Sequence, residues 1–489
     1  MSQQSNLISY FVGSFFLKIL KGMIKMALKI GFIPTHRTGL DINWAKDMKN
    51  RSIAQIKSMK GMELIYPDDA LIDDGIVTTY EDSLKVIRFF KTNEIDGIIL
   101  GAMSFGEEVP VLNICEKFSE LPILVYGTKE GTLQPDGQFQ SYSMCGTLSI
   151  TSGLYKRGIK FKFIDLCFPE EDLFLKDVSN FIKASNTYKS FIGARIGAIG
   201  TRPSNFETVA VNEIVMLQNY NQKIIPMSLL ELYKQLNEFD NKLLKEALLK
   251  DIQDNYNCGF VTEDALDRIV RLEAVLKNFI ESQDLSCLAI QCWSAIQEVI
   301  KISPCLTMGR LTGLGVPSAC EVDIFGALTM LVQYANSLNS STPHIMDIVT
   351  NSNSMENVFL TYHCGNASRD LAKPGTDVVI KEHGIFGGLW GRENCMGTGE
   401  FQLKPGKIMI NRLVEDNGIY KMLITEGEVI DSPDNLRGSW GWVKVRDLNR
   451  LYRTLAEEGF IHHYCMTYDN AIDSMIDFCD FAGIEKIIV

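Results

Sequence analysis

Short apolar runs and helical patterns alternate along the first third of the chain. The candidate strands, rich in β-branched residues, are Leu28–Ile33, Met62–Tyr66, Gly97–Ala102, Pro122–Gly127 and Lys160–Asp165. The stretches between them have helical spacing; they are Asp41–Lys57, Tyr80–Phe90, Glu107–Phe118 and Ser143–Lys156. This alternation predicts an α/β fold with a parallel, doubly wound sheet, whose strand ends form a ligand-facing rim.

The alternation resumes after Phe168 and predicts a second doubly wound domain. Its first strand is expected at Ala194–Gly200. A further strand, Ser286–Gln291, follows two long amphipathic helices at Leu229–Leu249 and Thr262–Ser282.

After Asn351 the pattern becomes strand-rich. The candidate strands are Val358–Tyr362, Asp377–Glu382, Gly399–Lys404, Lys407–Leu413, Ile419–Glu428 and Gly441–Val445. Asn417-Gly418 lies between two apolar runs and is a strong hairpin signal. We therefore predict an antiparallel β-barrel-like C-terminal domain or a sandwich. The expected divisions are an apolar extension at 1–27, Rossmann-like domains at 28–168 and 169–352, and the barrel-like domain at 353–489.

Charge and cysteine usage narrow the range of partners. The chain has 48 basic and 60 acidic residues, a net charge of −12, which argues against nucleic acid and anionic membranes. Its 12 cysteines occur singly, without C-x-x-C, which indicates reduced thiols in a cytoplasmic protein. No G-x-G-x-x-G follows the first strand, so a dinucleotide cofactor is disfavoured.

The apolar stretch Tyr10–Leu17 is too short to span a bilayer, and its lysines follow it, unlike those of a secretory signal. We expect no integral membrane segment and a dispensable extension. The alternative is that this stretch is an amphipathic helix that docks on a neighbouring subunit or lies on a membrane surface.

The richest candidate chemistry lies between Pro317 and Asn366. Glu321 opens an apolar helix, Asp347 follows a short apolar run, and His363 ends one. Element ends can point charged groups into a cleft, and two carboxylates with an imidazole suit a hard cation. His462-His463 could complete the set. Each residue also has a structural interpretation: a first-turn acid, a helix cap and a half-buried histidine.

Four motifs together resemble the L-fucose isomerase and L-arabinose isomerase superfamily of ketol isomerases. They are Arg195–Pro203 (RIGAIGTRP), Cys320–Met330 (CEVDIFGALTM), Phe359–Asn366 and Phe460–His463. The resemblance extends from about residue 28 to the C-terminus. It implies two doubly wound domains followed by a barrel-like domain.

The resemblance implies that Glu321 and Asp347 are both ligands of a divalent metal, usually Mn²⁺, and the catalytic proton carriers. One C-terminal histidine is the third ligand, and spacing favours His463 over His462. His363 stands where the arabinose branch has a further histidine, which the fucose branch lacks. No organic cofactor is implied.

The implied reaction interconverts an open-chain aldose and its ketose by proton transfer through an enediol, with a monosaccharide as substrate. The candidate sugar contacts are Gln291, Arg202, Arg37, Trp390 and Trp440, with His36, Trp293 and Trp442 as further possibilities. Each could equally be an ordinary loop or core residue. The resemblance also implies a homo-oligomer, a trimer or hexamer, in which Arg37 and His36 serve a neighbouring subunit. A C6-anionic hexose as substrate and a non-catalytic sugar sensor are the alternatives.

Overall fold

The computed structural model describes residues 27–489, apart from Leu133, Gln134 and Asp136. The predicted N-terminal extension thus lies, up to residue 26, outside the described residues. The described chain forms two compact units. One comprises the chain up to Lys189 together with Asp473–Gly483, and the other comprises Ser190–Ile472 with Ile484–Val489.

The first unit is built on a five-stranded parallel sheet in the order β2-β1-β3-β4-β5. Its elements in chain order are β1 Leu28–Thr35, α1 Ile42–Ser58, β2 Met62–Ile65, α2 Tyr80–Asn93, β3 Gly97–Ala102, α3 Glu108–Glu116, β4 Ile123–Thr128, α4 Ser143–Lys156, β5 Lys162–Cys167 and α5 Asp172–Phe191. Strands β3 and β4 are buried along their whole length, as expected of parallel strands covered on both faces. The predicted doubly wound sheet is confirmed.

Local signals set the helix starts in this unit. The Asp41 side chain accepts hydrogen bonds from the backbone N–H groups of Asn43 and Trp44 at the start of α1. Thr79 and Asp82 form a reciprocal capping box at the start of α2. Both helices therefore begin where a side-chain oxygen replaces the missing intrahelical acceptor.

The second unit opens with a four-stranded parallel sheet in the order β7-β6-β8-β9, which confirms the second doubly wound fold. Its elements are β6 Arg195–Ile199, α6 Glu213–Tyr220, β7 Lys223–Met227, α7 Leu229–Glu238, α8 Lys242–Asn255, α9 Glu263–Gln283, β8 Cys287–Ile290, α10 Ala295–Val299, α11 Cys305–Gly313, β9 Ser318–Cys320 and α12 Ile324–Asn336. The strands β8 and β9 end beside each other, because they pair in parallel up to Ile290 and Cys320.

Six strands of the second unit close into an antiparallel barrel. The remaining elements of this unit are β10 His344–Asn351, β11 Val358–His363, β12 Val379–Glu382, α13 Gly387–Trp390, β13 Met396–Gln402, β14 Gly406–Asp416, β15 Ile419–Ile430, β16 Ser439–Lys444, α14 Leu448–Glu457, β17 His463–Thr467 and β18 Glu485–Ile488. Helix α15 Ile472–Ala482, which follows β17 in the chain, belongs from Asp473 onward to the first unit. Pairing runs β16-β11-β10-β17-β14-β15, and β15 returns to β16. The predicted barrel-like domain is therefore confirmed, with β13 and β18 attached in parallel at its sides.

The tightest turn of the barrel joins β14 to β15. Asn417 and Gly418 occupy the left-handed region at φ 51° and 88°, between the paired residues Asp416 and Ile419. This conformation matches the twist of the two strands, so the hairpin predicted from Asn417-Gly418 is confirmed. Strand β10 also belongs to the barrel, although it lies upstream of the predicted division at residue 352. The domain divisions themselves stay a prediction.

A buried ion network joins two helices of the second unit. The carboxylate of Glu273 in α9 is fully buried and accepts from Arg310 Nε at 2.6 Å and Nη2 at 3.1 Å. Lys277 Nζ lies 2.7 Å from the same carboxylate. Burial alone would raise the pKa of Glu273, but Lys277 and Arg310 outweigh it and lower the pKa to about 2.

We expect Glu273→Gln to lower the free energy of unfolding by about 3 to 5 kcal/mol at neutral pH, because it removes the buried carboxylate that pairs with both Lys277 and Arg310 and leaves Arg310 its pairing with the partly exposed Asp251. The native carboxylate has a depressed pKa, so its contribution is present above pH 4.5 and is lost as the pH falls towards 2. Urea unfolding followed by circular dichroism measures the difference. Asp254→Asn, in an exposed pair with Lys250, is the control and should change stability by about 0.5 kcal/mol or less. Equal losses in the two variants would contradict this assignment.

Candidate active site

A strained turn carries the first carboxylate. Strand β9 ends at Cys320, and the next two residues, Glu321 and Val322, have φ values of 59° and 53°. A β-branched residue in this region is an outlier, and such residues cost about 1 to 3 kcal/mol each. Helix α12 begins only at Ile324, with Asp323 as its N-cap. The interpretation of Glu321 as the opening residue of the helix is thus wrong: Glu321 lies in the turn before it.

Barrel register brings the second carboxylate beside the C-terminal histidine. Asp347 in β10 is the antiparallel partner of His463 in β17 and, on the other side, of Tyr362 in β11. Strand β17 starts at His463, so His462 directly precedes the strand. His462 is exposed, whereas the side chain of His463 is 1% exposed.

Three carboxylates surround the imidazole of His463. Its Nδ1 is 2.8 Å from Asp323 Oδ2, and its Nε2 is 3.1 Å from Glu321 Oε2 and 3.5 Å from Asp347 Oδ1. Neither Glu321 Oε2 nor Asp347 Oδ1 has a hydrogen bond of acceptable geometry, although both atoms are buried. Buried carboxylate oxygens without partners are costly, so this arrangement is suited to a bound cation.

Asp323 fixes the orientation of that imidazole. Its carboxylate accepts from Gly326 N at 2.8 Å and forms a two-pronged ion pair with Arg412, at 2.6 and 3.0 Å. Both side chains of the pair are 1% exposed. With Nδ1 bound to Asp323, the Nε2 of His463 faces the other two carboxylates. A carboxylate that orients a ligating histidine in this way is a recurring feature of metal sites.

The electrostatics follow from this enclosure. Burial would lower the pKa of His463, but the hydrogen bond to Asp323 and the ion pair with Glu321 raise it to about 10. Burial raises the pKa of Asp347 to about 7, with repulsion from Glu321 and Asp323 adding to it. Burial would raise the pKa of Asp323 as well, but the positive charges of Arg412 and His463 hold that pKa well below its usual range. The three carboxylates favour a positive charge between them, and the pKa of the Asp347 carboxyl lies near neutral pH.

His363 lies near this group but has different partners. Its Nδ1 accepts from the backbone N–H of Cys364 at 2.8 Å, and its Nε2 is 2.9 Å from Cys320 Sγ. Burial and the positive charge of His463 lower its pKa well below the ordinary value. His363 is therefore a neutral imidazole beside a thiol.

Aromatic rings form one side of the site. Phe206, in the loop after β6, stacks on His463 at 6.4 Å between centroids and meets Trp293 edge-on at 5.4 Å. Trp293 in turn meets Phe386 at 5.1 Å, and Phe386 meets Trp390 at 5.1 Å. The predicted residue Trp390 thus belongs to an aromatic cluster that extends to His463. Such rings can pack against the apolar face of a sugar.

Three further residues predicted to contact a sugar have partners or packing of their own in the structure. Gln291 accepts from Thr201 N at 2.9 Å and donates to Trp293 O at 3.0 Å, so it links the loops after β6 and β8. Trp440 is 2% exposed and buried in β16. Trp442 donates through Nε1 to Asp434 at 2.7 Å.

Two predicted cations are only partly buried. The guanidinium of Arg202 has, among the described residues, a single hydrogen bond, to Pro203 O at 3.5 Å. Arg37 belongs to the other compact unit, where it lies over the Phe105 ring and pairs with Glu107 at 3.6 Å. In that unit His36 is buried and bonds Ser104 through Nδ1 at 2.8 Å. Their roles in sugar binding stay predictions.

Sequence reasoning missed Asp323, Arg412 and His383. His383 is buried, its Nδ1 accepts from the backbone N–H groups of Ile385 and Phe386, and its Nε2 has no partner. Burial lowers its pKa to about 4. The scarcity of histidine, six in the chain, was the available signal for His383. Arg412 had no local signal, because its only distinction is the distant partner Asp323.

The donor atoms fit a hard divalent cation. Ligands bound side by side on an octahedral ion at about 2.0 to 2.1 Å lie about 3 Å apart, close to the spacing of Glu321 Oε2 and His463 Nε2. Two sets of potential ligand atoms lie mutually within 4.8 Å: Glu321, His462 and His463, and Cys320, His363 and His463. Asp347 belongs to neither set and reaches the group through its 3.5 Å approach to His463 Nε2.

Two family models match this chain, one in its N-terminal part and one in its C-terminal part. Residues 31–192 match the fucose/sulfoquinovose isomerase N-terminal domain, and residues 361–488 match the L-fucose isomerase C-terminal domain. The chain belongs to the L-fucose isomerase superfamily and is an aldose–ketose isomerase, an intramolecular oxidoreductase. The non-catalytic sensor alternative is therefore wrong. Among the described residues, no helix has the length and apolar character needed to cross a membrane.

Several curated relatives align with this chain over most of their length. The chain is 22% identical over 459 residues to a protein of Priestia aryabhattai named sulfoquinovose isomerase, covering 93% of this chain and 97% of the relative. It is 23% identical over 429 residues to one of the same name from Alkalicoccus urumqiensis, covering 87% and 93%. A third, from Clostridium sp. (strain MSTE9), is 20% identical over 405 residues, covering 79% and 85%.

In protein stripped of divalent ions, we expect the imidazole of His463 to remain protonated at pH 8, because its pKa is raised to about 10. Asp323→Asn should lower that pKa, since it removes the hydrogen-bonded carboxylate. Histidine NMR titration measures both values. Asp416→Asn, at the exposed hairpin, is the control and should leave the value unchanged. An ordinary pKa for His463 in the unmodified protein would contradict the described contacts.

Proposed function

We propose that the protein is a divalent-cation-dependent isomerase of a hexose that carries an anionic substituent at C6. The cation dependence rests on one observation: Glu321 Oε2 and Asp347 Oδ1 converge on His463 Nε2, and both oxygens are buried and without hydrogen bonds. We assign the cation, Mn²⁺ or another hard divalent ion, to these three residues. His363 is left out of this set because its Nε2 faces Cys320.

The cation, when bound, supplies a Lewis acid that polarises the sugar carbonyl and stabilises negative charge on the neighbouring oxygens. The protein supplies the proton transfer. The Asp347 side chain is 26% exposed, whereas that of Glu321 is 8% exposed, so Asp347 has the better access to a substrate. We assign Asp347 to take the proton from C2 and return it to C1. Glu321 is assigned to the exchange between O1 and O2.

The second layer of the site keeps these groups in place. Asp323 and Arg412 hold His463 in one orientation, and the strained backbone at Glu321 and Val322 directs the Glu321 carboxylate towards it. Preorganised charges stabilise a transition state without reorganisation during the reaction. The Phe206 and Trp293 rings exclude water from the side of the site they cover.

The anionic substituent is suggested by the relatives, which are named sulfoquinovose isomerases, and by Arg202. Arg202 lies in the same loop as Phe206, which stacks on His463. Its only hydrogen bond among the described residues is the 3.5 Å contact with Pro203 O, so its guanidinium can bind a new anion. We assign it to the C6 substituent. A cytoplasmic homo-oligomer, trimer or hexamer, stays part of the proposal.

Glu321→Gln and Asp347→Asn should each lower kcat by about 100- to 10,000-fold, because each removes a cation ligand and a proton carrier. Activity is measured with Mn²⁺ after removal of other metals. Glu428→Gln, an exposed carboxylate on β15, is the control and should keep full activity. Chelation should abolish turnover in the unmodified protein, and added Mn²⁺ should restore it. Near-normal rates in either variant, or in the chelated protein, would refute the mechanism.

A panel of aldoses tests the substrate class. We expect sulfoquinovose to be converted with a higher kcat/KM than L-fucose, L-arabinose or D-glucose. Arg202→Ala should raise KM for the anionic sugar about 10- to 100-fold, since a hydrogen bond to a charged group is worth about 1.5 to 3 kcal/mol. Neutral sugars should be little affected. Arg446→Ala, an exposed cation, is the control. Equal losses for anionic and neutral sugars would exclude Arg202 as the anion contact.

A further inference from the structure

A group of buried thiols lies next to the proposed cation site and has no role in the proposed reaction. Cys320, the last residue of β9, has its Sγ 2.9 Å from His363 Nε2, and the thiol of Cys292 is the largest cause of the raised pKa of the Cys320 thiol. Cys292 follows β8, the parallel neighbour of β9, so the sheet brings the two thiols to one edge. Both are buried, at 4% and 1% exposure.

These donors differ in chemistry from the carboxylates. Thiolates and imidazoles bind Zn²⁺ and related soft ions, in tetrahedral sites of two cysteines and two histidines among others. Glu321 and Asp347 offer oxygen, which suits harder ions. His463 lies between the two kinds of donor, because its imidazole is within 4.8 Å of the ligand atoms of both Cys320 and His363.

The spacing of Cys320 and His363 allows a soft ion between them after a small side-chain movement. Sulfur and nitrogen ligands on a tetrahedral Zn²⁺ lie about 3.6 Å apart, from bond lengths of about 2.3 and 2.0 Å. Cys320 Sγ and His363 Nε2 are 2.9 Å apart, so they need to separate by less than 1 Å, roughly, to admit the ion. His363 carries its proton on Nε2, because Nδ1 accepts from Cys364 N. For Nε2 to bind an ion, this proton must move to Nδ1, and the hydrogen bond from Cys364 N is lost.

We propose that Cys320, His363 and His463, whose ligand atoms lie within 4.8 Å of one another, bind a thiophilic divalent ion such as Zn²⁺ or Cd²⁺, and that Cys292 becomes the fourth ligand once its side chain rotates towards them. Binding displaces the two thiol protons and the Nε2 proton of His463, and it forms two metal–sulfur and two metal–nitrogen bonds, without oxidation or reduction. In the proposed function His463 is also a ligand of the hard cation, and only the competition between the two ions rests on that function. One imidazole nitrogen cannot serve both ions, so a thiophilic ion expels the hard cation and inhibits the enzyme.

The test uses the full chain, freed of metal by chelation and kept reduced with a phosphine. Titration with Cd²⁺ should produce a sulfur-to-cadmium charge-transfer band in the ultraviolet that saturates at one equivalent. Mn²⁺ alone should produce none. In protein loaded with Mn²⁺, the same Cd²⁺ addition should release the Mn²⁺, detected as the free ion by electron paramagnetic resonance. These readouts do not require turnover, so they remain valid if the proposed substrate is wrong.

Variants assign the ligands. Cys320→Ser and Cys292→Ser should each remove about half of the band and weaken Cd²⁺ binding at least tenfold, while Mn²⁺ still binds. Cys395→Ser is the control, a buried cysteine whose neighbouring charges are Glu393 and Lys301. Circular dichroism checks the fold of each variant. If one of the two serine variants is unfolded, the Cd²⁺ titration of the other tests the proposal. An undiminished band in a folded Cys320→Ser or Cys292→Ser protein would overturn the proposal. So would equal release of Mn²⁺ by Cd²⁺ with and without Cys320, because Cd²⁺ would then be replacing Mn²⁺ among the carboxylates.

Discussion

The buried contact of Asp323 with Arg412 and His463 is the constraint on which the active site depends. A carboxylate and a guanidinium that are both 1% exposed would each be costly alone, and their two-pronged pairing offsets that cost. The same carboxylate caps helix α12 and holds Nδ1 of His463. One side chain therefore links the parallel sheet, the barrel and His463. The remaining nitrogen of His463 is left facing Glu321 and Asp347.

The two architectures of the second unit each deliver one part of the site. Parallel strands end on the same edge, and the ends of β8 and β9 bring Cys292, Cys320 and Glu321 together there. The barrel supplies Asp347 and His463 from adjacent antiparallel strands, where directly paired residues lie close. The strained turn at Glu321 and Val322 is the place where the backbone departs from regular geometry. Its strain persists because the packed elements on both sides hold it.

His463 separates two kinds of donor within a few ångströms. Oxygen donors from Glu321 and Asp347 suit a hard cation, and the sulfur of Cys320 beside His363 suits a soft one. The proposed soft-ion site therefore competes with the proposed hard-cation site for the imidazole of His463.

The sequence by itself determined the alternation of strands and helices, the change to a strand-rich C-terminal part, the Asn417-Gly418 hairpin and the family. These depend on periodicity, turn chemistry and local motifs, which are properties of neighbouring residues. It also indicated Glu321, Asp347 and His463 as candidates. Only the tertiary structure revealed Asp323 and Arg412 as partners, set the start of β17 at His463, and turned His363 towards Cys320. Those outcomes depend on strand register and on contacts between residues about 40 to 140 positions apart, for which no local pattern exists.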